Sequence, residues 1–349
     1  MHSPGVPLPR ALDGDSVSVR ILPPHKAFNW IHGGSVLVFD VTACSEGSNS
    51  PAEAPWRLQE GGLVPYGFAT LLSDLPDDAK AMVFETLVDD FFGPSEMPES
   101  AIVFDRQQHL QTAREPKAPC PPGQAMAQWI MRNKTQPRQV FLVDGDDYAK
   151  KYQRLQDAAA RTERLTLFPS EIVDDGLYLG PLETATSSAV LNGLAITHVL
   201  SVIDHSVPLP SDARVEHLSL CIEDHPAADL YPMLKKALPW MLAAFAETPG
   251  ARVLVHCAQG RSRSASVVIA WLMCVKRVLA RDETSGSPAL FRDVIGIVKQ
   301  LRPSVQPNYG FTSALENLFQ DEGALAPLLM GIEAFLKTPG SKRWQLALG

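Results

Sequence analysis

The chain has 349 residues, 45% hydrophobic and 20% charged, which is apolar material for two cores rather than one. Its 31 Lys and Arg stand against 39 Asp and Glu, a net charge of −8, with acidic residues in excess in both halves. That balance excludes a protein that tracks a nucleic-acid backbone, and the longest apolar run, 267–275, is too short for a membrane span.

The residues from Met1 to Gly5 show neither a basic n-region nor an apolar core, so no secretory leader is expected, and 1–14 reads as a poorly ordered arm. Three short apolar runs follow, 35–40, 101–105 and 139–144, each closing on an Asp. Continuous Val/Ile/Phe runs suit strands covered on both faces of a parallel sheet. Helical patterns occupy 78–92 and 123–133, and the Ser/Pro-rich stretches 45–55 and 115–122 read as loops. A first α/β domain is thus expected over 15–155. The polar helix predicted over 148–164 leads to a domain boundary near 168.

The second unit alternates again. Strands are predicted over 176–180, 197–202, 217–222 and 252–255, with helices over 183–191, 230–246, 263–280, 289–301 and 312–322. Its expected span is 166–325, a mainly parallel sheet flanked by helices. Residues 326–349 read as a tail that adds a helix before a frayed end. The five cysteines (Cys44, Cys120, Cys221, Cys257, Cys274) are odd in number and lack metal-type CxxC spacing. A reducing, cytoplasmic setting is expected, with nuclear entry left open, and neither metal nor cofactor is called for.

The informative stretch is Val255-His256-Cys257-Ala258-Gln259-Gly260-Arg261-Ser262-Arg263-Ser264. A strand delivers Cys257, a loop turns, and a helix starts near Arg263. The amides of 258–263 are then predicted to converge on one point at a helix N-terminus, making an anion-binding hollow. Arg263 can return its guanidinium fork to the same point. Gly260 allows the curvature. The same field lowers the pKa of the Cys257 thiol and makes it a nucleophile. Ser264 is placed to bond the sulfur, and His256 to order the loop. A lone cysteine is more often packing, but the His, Gly and Ser around it and the strand-then-helix setting favour a site.

These residues resemble the His-Cys-x5-Arg-Ser/Thr signature of cysteine-dependent phosphatases, within which the similarity is to the dual-specificity group. Leu177-Tyr178-Leu179-Gly180, the strand Leu194-Ala195-Ile196-Thr197-His198-Val199-Leu200-Ser201-Val202 and Arg302-Pro303-Ser304-Val305-Gln306-Pro307-Asn308-Tyr309-Gly310-Phe311 match further motifs of that group in order. The resemblance covers about 168–322. It implies hydrolysis of phosphotyrosine and phosphoserine/threonine in proteins through a phosphocysteine. It also implies a general acid in the pattern Asp-x4-Asp-Leu, which Asp224 fits; Glu223 is the rival, and Asp229 reads as the cap of the next helix. Asn308 resembles the group's loop-supporting Asn. Cys221 is weighed as a core thiol against a trap for oxidised Cys257.

The first unit resembles a degenerate rhodanese-like domain. Gly61-Gly62-Leu63-Val64-Pro65-Tyr66-Gly67-Phe68 is similar to that family's turn, and Arg106-Gln107-Gln108-His109 stands, without a cysteine, where its sulfurtransferase loop would lie. This domain order resembles the mitogen-activated protein kinase phosphatases, which makes a MAP kinase a candidate substrate, although no cluster of consecutive arginines is present. The other readings are a phosphoprotein-binding scaffold with vestigial catalysis, and hydrolysis of phosphoinositides or RNA 5′-phosphates. The neutral Ala258 and Gln259 disfavour the last, since lipid-directed relatives carry lysines in the loop.

Overall fold

The computed structural model describes residues 20–32, 37–40, 100–105, 139–161, 168–280, 287–320 and 322–348. It divides into two units, Met1–Gln156 and Asp157–Gly349. Elements are numbered here among the described residues. The predicted helices over 78–92 and 123–133, both Ser/Pro-rich loops, the 61–68 turn, the segment 106–109, Cys44 and Cys120 lie outside them.

In the first unit, β1 (Arg20–Ile21), α1 (Pro24–His32), β2 (Leu37–Asp40), β3 (Ser100–Asp105), β4 (Gln139–Asp144) and α2 (Gly145–Arg161) follow in chain order. The four strands form an all-parallel sheet of order β1-β4-β3-β2. Residues 101–104 and 140–143 are buried without a polar break, as strands covered on both faces require. The Phe28 ring of α1 stacks on Tyr152 of α2 at 4.3 Å, and Tyr148 meets Phe104 of β3 edge-on at 4.9 Å. The α2 helix starts at Gly145, three residues before its predicted start, because the Asp144 carboxylate accepts the Asp147 amide at 3.0 Å.

The second unit holds β5 (Ser170–Val173), β6 (Leu177–Gly180), α3 (Leu182–Ala185), α4 (Ser188–Gly193), β7 (His198–Val202) and β8 (Glu216–Leu220). After these come α5 (Tyr231–Glu247), β9 (Val253–His256), α6 (Arg263–Ala280), α7 (Ser287–Leu301), α8 (Tyr309–Glu316), α9 (Glu322–Leu336) and α10 (Lys342–Leu348). Strand order is β5-β6-β9-β7-β8, parallel except for the β5/β6 pair. β9 therefore has a parallel neighbour on each side, and its C-terminal end opens onto the loop that carries Cys257. Every α6 residue from Arg263 to Val275 is buried, so this helix is enclosed behind that loop.

Four expectations are corrected. The helix predicted over 183–191 is two short helices, because Ser187 caps the second by accepting the Val190 amide at 3.3 Å. The helix predicted over 312–322 is replaced by α8, which starts at Tyr309 because the Asn308 carboxamide oxygen accepts the Phe311 amide at 2.9 Å. Asp229 is not itself the cap of α5. Leu230 holds that position, while Asp229 supplies the oxygen for the Tyr231 amide at 3.0 Å. The boundary expected at 325 falls inside α9, and the segment beyond it is packed rather than frayed.

Trp344 of α10 is fully buried, 4.7 Å from Phe245, 5.8 Å from Trp271 and 6.1 Å from Phe335 between ring centroids. Arg343 donates to the carbonyls of Asp175 and Ala251. Trp344→Ala is expected to cost about 3–5 kcal/mol, the usual penalty for emptying a buried aromatic site. Equilibrium urea unfolding measures this; a loss under ~1 kcal/mol would show that α10 adds nothing to the core.

Candidate active site

Cys257 follows β9 directly and is 2% exposed. Burial alone pushes its thiol pKa up. That is outweighed by the Ser264 hydroxyl, which donates to Sγ at 3.1 Å, and by the amides of Ser264, Arg261 and Gln259, so the net shift is downward. The amides of Gln259, Arg261 and Ser264 therefore face the sulfur. The Arg302 guanidinium also feels the Cys257 charge. Burial lowers the Arg302 guanidinium's own pKa and the Cys257 charge opposes that. Arg302 donates to the carbonyls of Gly260 at 2.9 Å and Gln259 at 3.1 Å and to Ser170 at 3.3 Å, tying the outside of the loop to β5.

Gly260 sits at φ +65°, and a Cβ there would lie 2.6 Å from the Gly180 carbonyl. Arg261 is committed to the segment 304–306. It bonds the Ser304 carbonyl and the Gln306 side chain, each at 3.1 Å, and its own carbonyl accepts the Gln306 amide at 2.8 Å. The loop is thus latched to the segment that precedes α8. Ala258 is half-buried, with its carbonyl accepting the Leu182 amide at 3.2 Å, and Gln259 is exposed.

Arg263 is 7% exposed. Its Nη1 faces the Ile222 carbonyl at 3.3 Å and an Asp204 carboxylate oxygen at 3.5 Å, and its Nε lies 3.6 Å from Asp224 Oδ2. Nε is buried without a hydrogen-bond partner. Asp224 is placed by two further bonds, both to Oδ1: one from the Ser262 hydroxyl at 2.6 Å and one from the Asn308 amide at 2.9 Å. Asn308 also donates its backbone amide to the Ser262 hydroxyl at 3.1 Å. Asp224, Ser262, Asn308 and Arg263 thus form one cluster of contacts, which chain adjacency at Arg263 and Ser264 brings to the Ser264–Cys257 pair, while Glu223 is exposed.

The His256 ring lies buried beneath the loop, with Nε2 2.6 Å from the Ser201 hydroxyl, which is itself 2.8 Å from His217 Nε2. One hydroxyl carries one proton, so at most one ring accepts from it and at least one donates to its oxygen. The His256 Nδ1 faces the Cys257 backbone without a bond of good geometry. Burial pushes its pKa down to about 4, so the ring is neutral at pH 7 and orders the loop rather than carrying charge.

Residues 177–321 match the family described as "Dual specificity phosphatase, catalytic domain". The Dual specificity protein phosphatase 1 of Arabidopsis thaliana is 31% identical over 159 residues, covering 46% of this chain and 73% of that protein. The chain belongs to the dual specificity phosphatases. The Dual specificity protein phosphatase MPK-4 of Drosophila melanogaster is 37% identical over 155 residues, 43% of this chain and 36% of that protein. The Probable rhodanese domain-containing dual specificity protein phosphatase of Dictyostelium discoideum is 32% identical over 157 residues, 44% of this chain and 29% of that protein. The chain thus spans only about a third of the length of these last two relatives.

In this dual specificity phosphatase, Asp204 was not singled out from the sequence, and Arg302, Ser201, His217 and Gly310 entered it only within matched motifs or a predicted strand, without the distant contacts that tie them to the site. At Gly310 a Cβ would fall 1.9 Å from the Pro226 carbonyl, so the first turn of α8 and the loop carrying Asp224 touch backbone to backbone. Cys221 is exposed and its thiol meets the Asp204 carbonyl at 3.5 Å, so it is not the core thiol that was the favoured reading. Cys274 is fully buried, which pushes its pKa up to about 12, and it packs inside α6. Among the described residues no cluster of three His, Cys, Asp or Glu is placed to hold a metal ion, and no helix is long and apolar enough to cross a membrane.

The Ser264 bond gives a prediction with a sign. The folded loop holds the Cys257 thiol below its ordinary pKa, and Ser264→Ala removes a hydroxyl that lowers it. The pKa then rises, so the pH at which the thiolate forms moves up and less of it exists at pH 7. Alkylation by iodoacetate as a function of pH reads this directly. A midpoint unmoved by the substitution would mean that the amides alone set the thiolate.

Proposed function

We propose that the chain hydrolyses phosphotyrosine and phosphoserine/threonine in proteins in two steps through Cys257. The observation that carries this reading is the buried Cys257 thiol whose pKa the Ser264 hydroxyl and three loop amides pull down, at the N-terminus of the helix that also carries the buried Arg263. In the first step the Cys257 thiolate attacks phosphorus, the S–P bond forms and the P–O bond to the leaving group breaks. Asp224 gives its proton to the departing oxygen. Its Oδ1 is occupied by two donors, which leaves Oδ2 as the proton carrier. The Arg263 Nε edge and the loop amides hold the non-bridging oxygens. In the second step Asp224, now a carboxylate, takes a proton from water, whose oxygen forms the new P–O bond as S–P breaks and inorganic phosphate leaves. The Ser264 hydroxyl stabilises the sulfur as it departs as thiolate.

The phosphorylated protein itself is the partner, with a MAP kinase as the candidate that the domain order suggests. A degenerate rhodanese-like domain over 15–155 is supported by the parallel order β1-β4-β3-β2 and by the pairing of the two domains in the name of the Dictyostelium relative. Acid quenching of a single turnover with a phosphotyrosyl peptide, followed by mass spectrometry, is expected to find phosphate on Cys257. Peptide binding with no phosphocysteine and no phosphate release would overturn this reading in favour of a scaffold.

A further inference from the structure

Tyr309 is 83% exposed, more than the other solvent-exposed large apolar side chains of the described residues, yet both of its chain neighbours belong to the candidate site. Asn308 holds Asp224 at 2.9 Å, and the Gly310 backbone abuts the Pro226 carbonyl two residues beyond Asp224. Phe311, fully buried, fixes the start of α8 from below. The first turn of α8 is therefore clamped at positions 308, 310 and 311, and the phenol at 309 projects outward from that turn. Tyr231, the other partly exposed tyrosine against α8, is committed, its hydroxyl donating to the Ala314 carbonyl at 3.0 Å.

The direction of the chemistry says what meets that ring. In-line displacement puts the leaving oxygen on the side of phosphorus opposite the sulfur, and Asp224 must reach that oxygen to protonate it. The group attached to the leaving oxygen consequently emerges beside the element that holds Asp224, which is the 308–310 turn. A phosphotyrosine presents a planar ring directly beyond that oxygen. A phosphoserine or phosphothreonine presents a single tetrahedral carbon followed by its own backbone.

We propose that Tyr309 is a specificity-determining residue whose ring stacks on the aryl leaving group, so that it favours phosphotyrosine over phosphothreonine and phosphoserine. The inference rests on the phosphatase reading above and deepens it. Offset aromatic pairs of this kind correspond to a factor of about 2 to 12 in affinity.

The test uses the full chain and two peptides that differ only in carrying phosphotyrosine or phosphothreonine. Tyr309→Ala is expected to lower kcat/KM for the phosphotyrosyl peptide by about 2- to 12-fold, mostly through KM. The phosphothreonyl peptide should change by less than about 2-fold, and Tyr309→Phe should restore the wild-type ratio because the ring rather than the hydroxyl makes the contact. An equal effect on both peptides, an unchanged ratio in Tyr309→Ala, or failure of Tyr309→Phe to restore it would overturn the inference while leaving the phosphatase reading intact. If the wild type released phosphate from neither peptide, the phosphatase reading itself would fall, and this inference with it.

Discussion

Cys257→Ser is expected to reduce turnover of an aryl phosphate by at least about 10⁴-fold while the folded protein still binds inorganic phosphate. The argument turns on what the loop can ionise. The Ser264 hydroxyl and the amides of Gln259, Arg261 and Ser264 offset the burial of the sulfur and bring a thiol below its ordinary pKa. The same donors cannot bring an alcohol, whose proton is held far more tightly, to the alkoxide that attack requires. The smaller oxygen leaves the cradle itself unchanged, so phosphate binding is retained. Steady-state kinetics and phosphate titration on the same preparation separate the two effects. Full activity in the serine variant would remove the nucleophile from the mechanism and the mechanism with it.

The second large effect concerns Asp224→Asn, chosen because asparagine can still accept the bonds from Ser262 and Asn308 that hold Oδ1. Geometry is kept and only the transferable proton is lost. A leaving group that needs that proton, such as an alkyl or unsubstituted phenyl phosphate, should then react about 10²–10⁴-fold more slowly, the usual range for general acid catalysis. An activated nitrophenyl phosphate, whose oxygen departs without help, should slow by less than about 10-fold. A rate series across leaving groups measures the difference. Equal slowing of all of them would mean that Asp224 acts only by placing Ser262 and Arg263, whose Nε it approaches at 3.6 Å.

These two variants also mark how much of the site can be read in the chain. The segment from Val255 to Ser264 was legible because its geometry is local. An apolar strand, a glycine-bearing turn and the first residues of a helix place nucleophile, amides and Ser264 within ten consecutive positions, and short-range stereochemistry fixes their relation. Asp224 is 38 residues from its partner Ser262. It was legible chiefly through resemblance, with the inward alternation of Leu218, Leu220 and Ile222 setting Asp224 rather than Glu223 beyond the strand. The contacts of Arg302 were not legible either, because its guanidinium is brought to the loop carbonyls by the packing of α7 and the turn that follows it.

By itself, then, the sequence determined the nucleophilic loop, the parallel strands that burial on both faces demands and the kinship of 168–322. Each of those is written in consecutive residues. The tertiary structure alone decided that Asn308 joins Asp224 to Ser262, that Gly310 must lack a Cβ against Pro226, that Ser201 links His256 to His217, and that Trp344 closes the core behind α6. Those contacts join segments tens of residues apart, and the free energy that selects them comes from burial and hydrogen bonding in the assembled domain rather than from any local preference of the chain.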